Sequence, residues 1–167
     1  MKTRVIARFG LLVALALVLS YAESLIPPLF AVPGMKLGLT NLVVLTALYA
    51  IDIRSAVLIN IIRIALAAAL FGNGVSFLYS LAGGILSCLV MILLKKTGRF
   101  SMTGVSAAGG VTHNAGQILV AMALMETAAI GWYLTVLWIS GLLSGLAVGL
   151  LGAAVLRRLP AGFMKGQ

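Results

Sequence analysis

The chain has 167 residues, of which 62% are hydrophobic and only 9% are charged, and its formal net charge is +9. A soluble domain of this length needs a polar exterior and cannot hide so much apolar surface. The composition therefore indicates an integral membrane protein with a single membrane domain that spans residues 1–167. The cations flank apolar segments instead of clustering on a soluble face, which argues against nucleic-acid binding.

Six apolar segments predict six membrane-spanning helices, because one span takes about 20 residues. The first segment follows a basic start but is too long for the core of a signal peptide, so we interpret it as a retained helix. The second segment is the shortest, and a re-entrant start is an alternative for it. Prolines and polar turns separate the segments. The predicted spans are 6–26, 37–53, 55–72, 76–95, 103–125 and 130–156.

The distribution of lysine and arginine predicts the orientation of these spans. If the N-terminus is cytoplasmic and the spans alternate, ten of the 12 cations fall on the cytoplasmic side. Lys36 alone falls outside, and Arg63 falls within the membrane. This bias follows the positive-inside rule. We therefore expect a multi-pass protein of the bacterial cell membrane, surrounded by lipid, with both termini in the cytoplasm.

Small residues recur on two of the predicted helices. Gly141, Gly145 and Gly149 lie four residues apart in the last span and form a smooth face that another backbone can approach closely. Packing within the bundle is the favoured interpretation, with a partner interface as the alternative. Near the cytoplasmic end of the first span, a second group is compatible with internal packing or with docking of another membrane subunit: Ala7, Gly10 and Ala14.

Arg63 lies inside the unbroken apolar run "SAVLINIIRIALAAALF" of the third span. A cation at mid-membrane depth costs roughly 2.5 kcal/mol or more unless a partner or water reaches it. Such residues commonly mark functional sites. Asn60 lies three residues earlier and therefore shares a helix face with Arg63.

The fifth span contains "GGVTHNAGQILV", which places His113 and Gln117 in one sector, with Asn114 at its edge. Large polar side chains in one sector cannot face lipid, so they face the bundle or a water-filled cavity. We expect an outward-opening cavity that binds a small ligand with anionic or hydrogen-bonding groups. In the alternative interpretation, the same groups only form hydrogen bonds to one another and stabilise the helix bundle. The candidate substrate-binding residues are Arg63, His113, Asn114, Gln117, Asn41, Lys36, Glu23 and Asn60.

The residues needed for common catalytic sites are missing from this sequence. It has no G-x-x-x-x-G-K-[ST] loop for nucleotide phosphates. Its three acids are too far apart in sequence to form the clustered aspartates that hold Mg²⁺ against a diphosphate. One histidine and one cysteine do not make an ordinary zinc site. We therefore expect a non-catalytic protein without a cofactor or a metal.

Three stretches together resemble a known family: "GLLVALALVLSYAESLIPP", "VPGMKLGLTNLVVLTALYA" and "GGVTHNAGQ". The family is called heptaprenyl diphosphate synthase component I, or Gx transporter, and is similar to the substrate-binding S components of energy-coupling factor (ECF) vitamin transporters. The resemblance implies an S-component-like six-helix bundle that docks on a transmembrane coupling protein driven by two cytoplasmic ATPases. It also implies docking through Ala7, Gly10 and Ala14, and ligand binding partly through the loop after the first helix, at Pro33, Gly34, Lys36, Gly38 and Asn41.

We therefore expect a substrate-binding membrane subunit of an ECF-type transporter for a small molecule, with anionic and prenylated molecules as the candidates. The alternative implied by the family name is a non-catalytic membrane component associated with heptaprenyl diphosphate synthesis or quinone metabolism. A structural scaffold, in which the interior polar groups only bind one another, is a third interpretation.

Overall fold

A computed structural model describes residues 2–25, 38–127, 131–160 and 163. All regular structure in this part of the chain is helical. Six helices coincide with the six apolar segments of the sequence: α1 (Lys2–Ser24), α2 (Asn41–Ala50), α3 (Ile53–Phe71), α4 (Gly74–Thr97), α5 (Met102–Leu124) and α6 (Tyr133–Arg158).

Four of these helices are long and apolar enough to cross a membrane, namely α1, α3, α4 and α6. Helix α5 has 23 residues and no charge, but its glycines and polar side chains lower its hydropathy. Helix α2 has only 10 residues. At 1.5 Å per residue it is about 15 Å long, roughly half the hydrocarbon thickness of a bilayer. As a helix, α2 is therefore shorter than the span predicted for 37–53.

Helix α2 lies at the centre of the bundle and contacts all five other helices. Eight of its residues are buried, on every side of the helix. This all-round burial explains its nearly uninterrupted apolar sequence "NLVVLTALYA". The main apolar core forms around it, with α1, α3, α4, α5 and α6 each contributing side chains.

The helix ends follow local rules of capping. The Asp52 carboxylate accepts a hydrogen bond of 2.7 Å from the Ser55 amide at the start of α3. Asn73 and Ser76 form a capping box at the start of α4, and Gly98 ends α4 in the left-handed conformation at φ 66°. Ser101 caps α5 by accepting a bond of 3.2 Å from the Gly104 amide. Short polar sequences thus set the bounds of α3, α4 and α5.

Helix α5 packs between α4 and α6, and its contact with α6 is unusually close. A Cβ atom added to Gly110 would lie 2.2 Å from the Gly141 carbonyl oxygen. Gly145 and Gly149 meet the α5 backbone at Ser106 and Thr103 in the same way. The glycine face of α6 therefore lies against α5 within the bundle, where only hydrogen atoms fit between the two backbones.

The small residues of α1 lie in a different environment. Ala7, Gly10 and Ala14 are all exposed. A Cβ atom added to Gly10 would have no neighbour within 4 Å among the described residues. The opposite side of α1 is buried through Leu12 and Ala16, which join the core. The face that carries the three small residues is therefore on the outside of the bundle.

Candidate functional site

A buried polar cluster forms where α1, α3, α4 and α5 surround the turn that leads into α2. Helices α1, α3 and α5 contribute polar side chains, because an apolar helix turns its few large polar groups away from lipid. Helix α4 contributes the backbone carbonyl of Gly84. Eight residues belong to this cluster, and all are buried: Glu23, Gly38, Thr40, Asn41, Asn60, Arg63, His113 and Gln117. The structure thus brings together six of the eight candidate substrate-binding residues. It adds Gly38, a position that the family resemblance implied, and Thr40, which is not among the predicted residues.

Arg63 is 2% exposed and is held by neutral oxygen acceptors. Its Nε and Nη2 atoms donate to Asn60 Oδ1 at 3.1 and 2.9 Å, and its Nη1 atom donates to Thr40 Oγ1 at 3.0 Å. Asn60 in turn donates through Nδ2 to the Gly84 carbonyl at 2.9 Å. This chain of bonds fixes the guanidinium between α3, α4 and the start of α2.

Glu23 supplies the negative charge of the cluster from the last turn of α1. Its Oε1 atom accepts hydrogen bonds from the amides of Gly38 and Leu39, the latter at 3.2 Å. The carboxylate also attracts the Arg63 guanidinium electrostatically. Two charged residues therefore hold the turn from Gly38 to Asn41. Glu23 binds the backbone amides of the turn, and Arg63 binds the side chain of Thr40.

Gly38 allows this turn because its φ angle is +80°, a conformation that side chains rarely adopt. A Cβ atom added there would lie 3.1 Å from Asn41 Nδ2 and 3.9 Å from the His113 ring. The glycine therefore lets the backbone pass between Glu23 and α5.

The Gly38→Ala substitution is expected to lower the free energy of unfolding by about 1–2 kcal/mol, because alanine at this angle is strained. Thermal unfolding in detergent measures the effect. Gly74→Ala is the matched control, since a Cβ atom added at that position would meet no other part of the described residues within 4 Å. Equal midpoints for the two variants would contradict this role of Gly38.

His113 and Gln117 form the α5 side of the cluster. Gln117 Nε2 lies 3.2 Å from His113 Nε2, so the amide donates to the ring when that nitrogen is unprotonated. A Cβ atom added to Gly83 would lie 3.1 Å from both side chains, which places them directly against α4. Among the described residues, Gln117 Oε1 is buried and accepts no hydrogen bond. This oxygen can accept a hydrogen bond from a donor group on a ligand.

Asn114 and Lys36 differ from the other predicted binding residues. Asn114 donates to the Leu137 carbonyl at 2.8 Å and to Ser140 Oγ at 3.2 Å, so its side chain ties α5 to α6 and does not join the cluster. Lys36 lies outside the described residues, as do Pro33 and Gly34. Asn41 also borders a small cavity of about 10 Å³, the size of one water molecule, together with Ser106 and Ser144.

Two contributors to the cluster are not evident from sequence periodicity. Thr40 has an ordinary hydroxyl in a turn, and no pattern in the sequence marks it as a candidate. Gly83 has no polar side chain at all, yet its small size admits His113 and Gln117. Both contribute through their position in the fold, which no local pattern specifies.

A comparison with protein-family models identifies the family of the chain. The model described as heptaprenyl diphosphate synthase component I matches residues 12–155. The chain belongs to the heptaprenyl diphosphate synthase component I family. The matched part of this family member runs from α1 to α6 and includes every residue of the polar cluster. No curated protein and no solved structure gives a significant match.

Proposed function

We propose that this family member is a substrate-binding subunit of the bacterial cell membrane that works in an ECF-type transporter. The observation that carries the proposal is the buried cluster around Arg63 and Glu23. Two buried charges cost several kcal/mol of desolvation each, and apolar packing is often at least as stable. Retention of both charges is best explained by a ligand that uses them.

The proposed topology has six membrane segments, with α2 and the turn before it completing the second segment. Cations gather at one end of the bundle, in the last turns of α4 and α6 and in the first turn of α3. Trp132 lies at the opposite end of α6 and is 85% exposed, as an aromatic residue at a membrane interface often is. This arrangement supports cytoplasmic termini and a ligand site nearer the outer side.

In this proposal the ligand enters by displacing the turn from Gly38 to Asn41. Glu23 holds that turn through two backbone amides, and Arg63 holds it through one hydroxyl. A small molecule with an anionic or hydrogen-bonding group can take over the Thr40 contact of Arg63 and can donate to Gln117 Oε1. Ligand binding and movement of the turn are therefore coupled.

The chain itself is proposed to be non-catalytic, so transport energy comes from other subunits. Ala7, Gly10 and Ala14 support this, because they form an exposed face of α1 on which a coupling protein can pack closely. Cytoplasmic ATPases then act through that coupling protein.

Purification of the tagged chain from native membranes tests this proposal. We expect a coupling protein and ATPases to copurify, and to be lost when Gly10 is replaced by leucine. Leu11→Ala is the control, since Leu11 is a neighbouring exposed residue whose shortening leaves the small-residue face intact. If neither partner copurifies with the wild-type chain, the ECF proposal is wrong.

The family name favours a second candidate, a non-catalytic membrane component of heptaprenyl diphosphate synthesis. In that case a soluble prenyl synthase chain copurifies instead of an ATPase. Deletion of the gene then changes prenyl chain length or quinone content, whereas the uptake of solutes stays normal. The same purification therefore separates the two candidates.

A further inference from the structure

A second, open cavity of about 500 Å³ lies at the end of the bundle where α2 ends, α3 begins and α4 ends. None of its lining residues belongs to the polar cluster, and its volume is in the range of small-molecule sites. Two hydrophobic residues, one carboxylate and two cations line it: Ile51, Ile53, Asp52, Arg54 and Lys95.

The cations of this cavity retain donors for a ligand. The Lys95 ammonium donates to the Leu48 carbonyl at the end of α2 and lies 4.8 Å from the centre of the Tyr49 ring. An ammonium has three donors, so this bond leaves two. Arg54 is exposed and carries a planar guanidinium that suits phosphate oxygens. Phosphate is therefore a ligand group that both cations can bind.

The helix surfaces beside the cavity are apolar and exposed. Arg54, Leu58 and Ile61 share one face of α3, because they lie at intervals of four and three residues. On α4, one face carries Leu89, Leu93 and, at the end of the helix, Lys96, which lie at the same intervals and are all exposed. Each helix thus carries a strip of exposed apolar side chains that ends in a cation beside the cavity. A molecule with a phosphate head and a hydrocarbon tail matches this pattern.

The charges of the cavity distinguish between phosphate ligands. Arg54 and Lys95 contribute two positive charges and Asp52 contributes one negative charge, which leaves a local charge of +1. Asp52 is also engaged with the start of α3 and attracts Lys95. A phosphodiester with one negative charge balances this site, whereas a diphosphate brings excess negative charge against the carboxylate.

We propose that this cavity binds the headgroup of an anionic phospholipid, with the phosphodiester on Arg54 and Lys95 and the acyl chains along α3 and α4. The proposal rests on the membrane location given above but not on transport. It remains valid if no transporter subunit copurifies with the chain.

Native mass spectrometry of the full chain tests this site. The protein is released from nanodiscs that contain equal amounts of phosphatidylglycerol and phosphatidylcholine. We expect the wild type to retain phosphatidylglycerol preferentially, and Arg54→Gln to reduce that preference roughly fivefold, the effect of one basic residue at an anionic surface. Arg54→Lys keeps the charge and is expected to retain most of the preference.

Arg158→Gln is the matched control, because it removes an exposed cation from the last turn of α6. It is expected to leave the preference nearly unchanged. An equal loss in Arg54→Gln and Arg158→Gln would show diffuse charge attraction and overturn the proposal, as would equal retention of the two lipids by the wild type. Displacement of phosphatidylglycerol by farnesyl diphosphate or by inorganic phosphate would also overturn it, by assigning the site to a diphosphate or to a free anion.

Discussion

Arg63→Met is expected to lower the free energy of unfolding by about 3–5 kcal/mol, although methionine suits an apolar helix. The substitution removes all three bonds that the guanidinium makes to Asn60 and Thr40. It also removes the electrostatic attraction between the buried Glu23 carboxylate and the Arg63 guanidinium. The cost is therefore mainly that of the polar groups left behind, and only secondarily that of lost packing.

Thermal unfolding in detergent measures this effect. Arg99→Met is the control, because Arg99 is an exposed cation between α4 and α5. We expect its midpoint to match that of the wild type. If Arg63→Met unfolds at the same temperature as Arg99→Met, then Arg63 does not organise the cluster.

Gly110→Ala is expected to destabilise the bundle by about 3 kcal/mol, the upper end of the usual cost of overpacking, because even one methyl group forces α5 and α6 apart. The added carbon would lie 2.2 Å from the backbone oxygen of Gly141, and backbone cannot rotate away as a flexible side chain can. Separation of the helices would also stretch the bonds that Asn114 makes to α6.

The same change at Gly104 provides a control on the same helix. A Cβ atom there would lie 3.5 Å from Ser101 Oγ, which is an ordinary contact. Gly104→Ala is expected to change the unfolding midpoint little, or to raise it slightly by restricting the unfolded chain. Similar midpoints for the two alanine variants would show that the α5–α6 contact is looser than the structure indicates.

Much of this fold follows from the sequence, because apolar runs, prolines and capping residues set the positions of helices locally. The exception is α2, because its apolar sequence equally predicts a helix that spans the whole membrane. Helix α2 is surrounded by the five other helices, and this burial, not its own sequence pattern, explains why a helix of ten residues can form the centre of the bundle.

The candidate site was predictable only in part. Helical periodicity placed Asn60 with Arg63, and His113 with Gln117, because each pair lies on one helix. It did not reveal that Asn114 turns to α6, since a residue at the edge of a polar sector can face either neighbour. Nor did it identify Thr40 as an acceptor for Arg63, because that contact joins residues 23 positions apart.

The most direct test of the central claim is whether the polar cluster holds a ligand. Native mass spectrometry of the wild-type chain, released from native membranes, is expected to detect one retained polar small molecule. Arg63→Lys keeps the charge but cannot reproduce the planar bonding of the guanidinium, so we expect this variant to remain folded and to lose that molecule. A wild-type chain that retains no small molecule, or a lysine variant that retains the same one equally well, would contradict the account and favour a cluster that only locks the bundle.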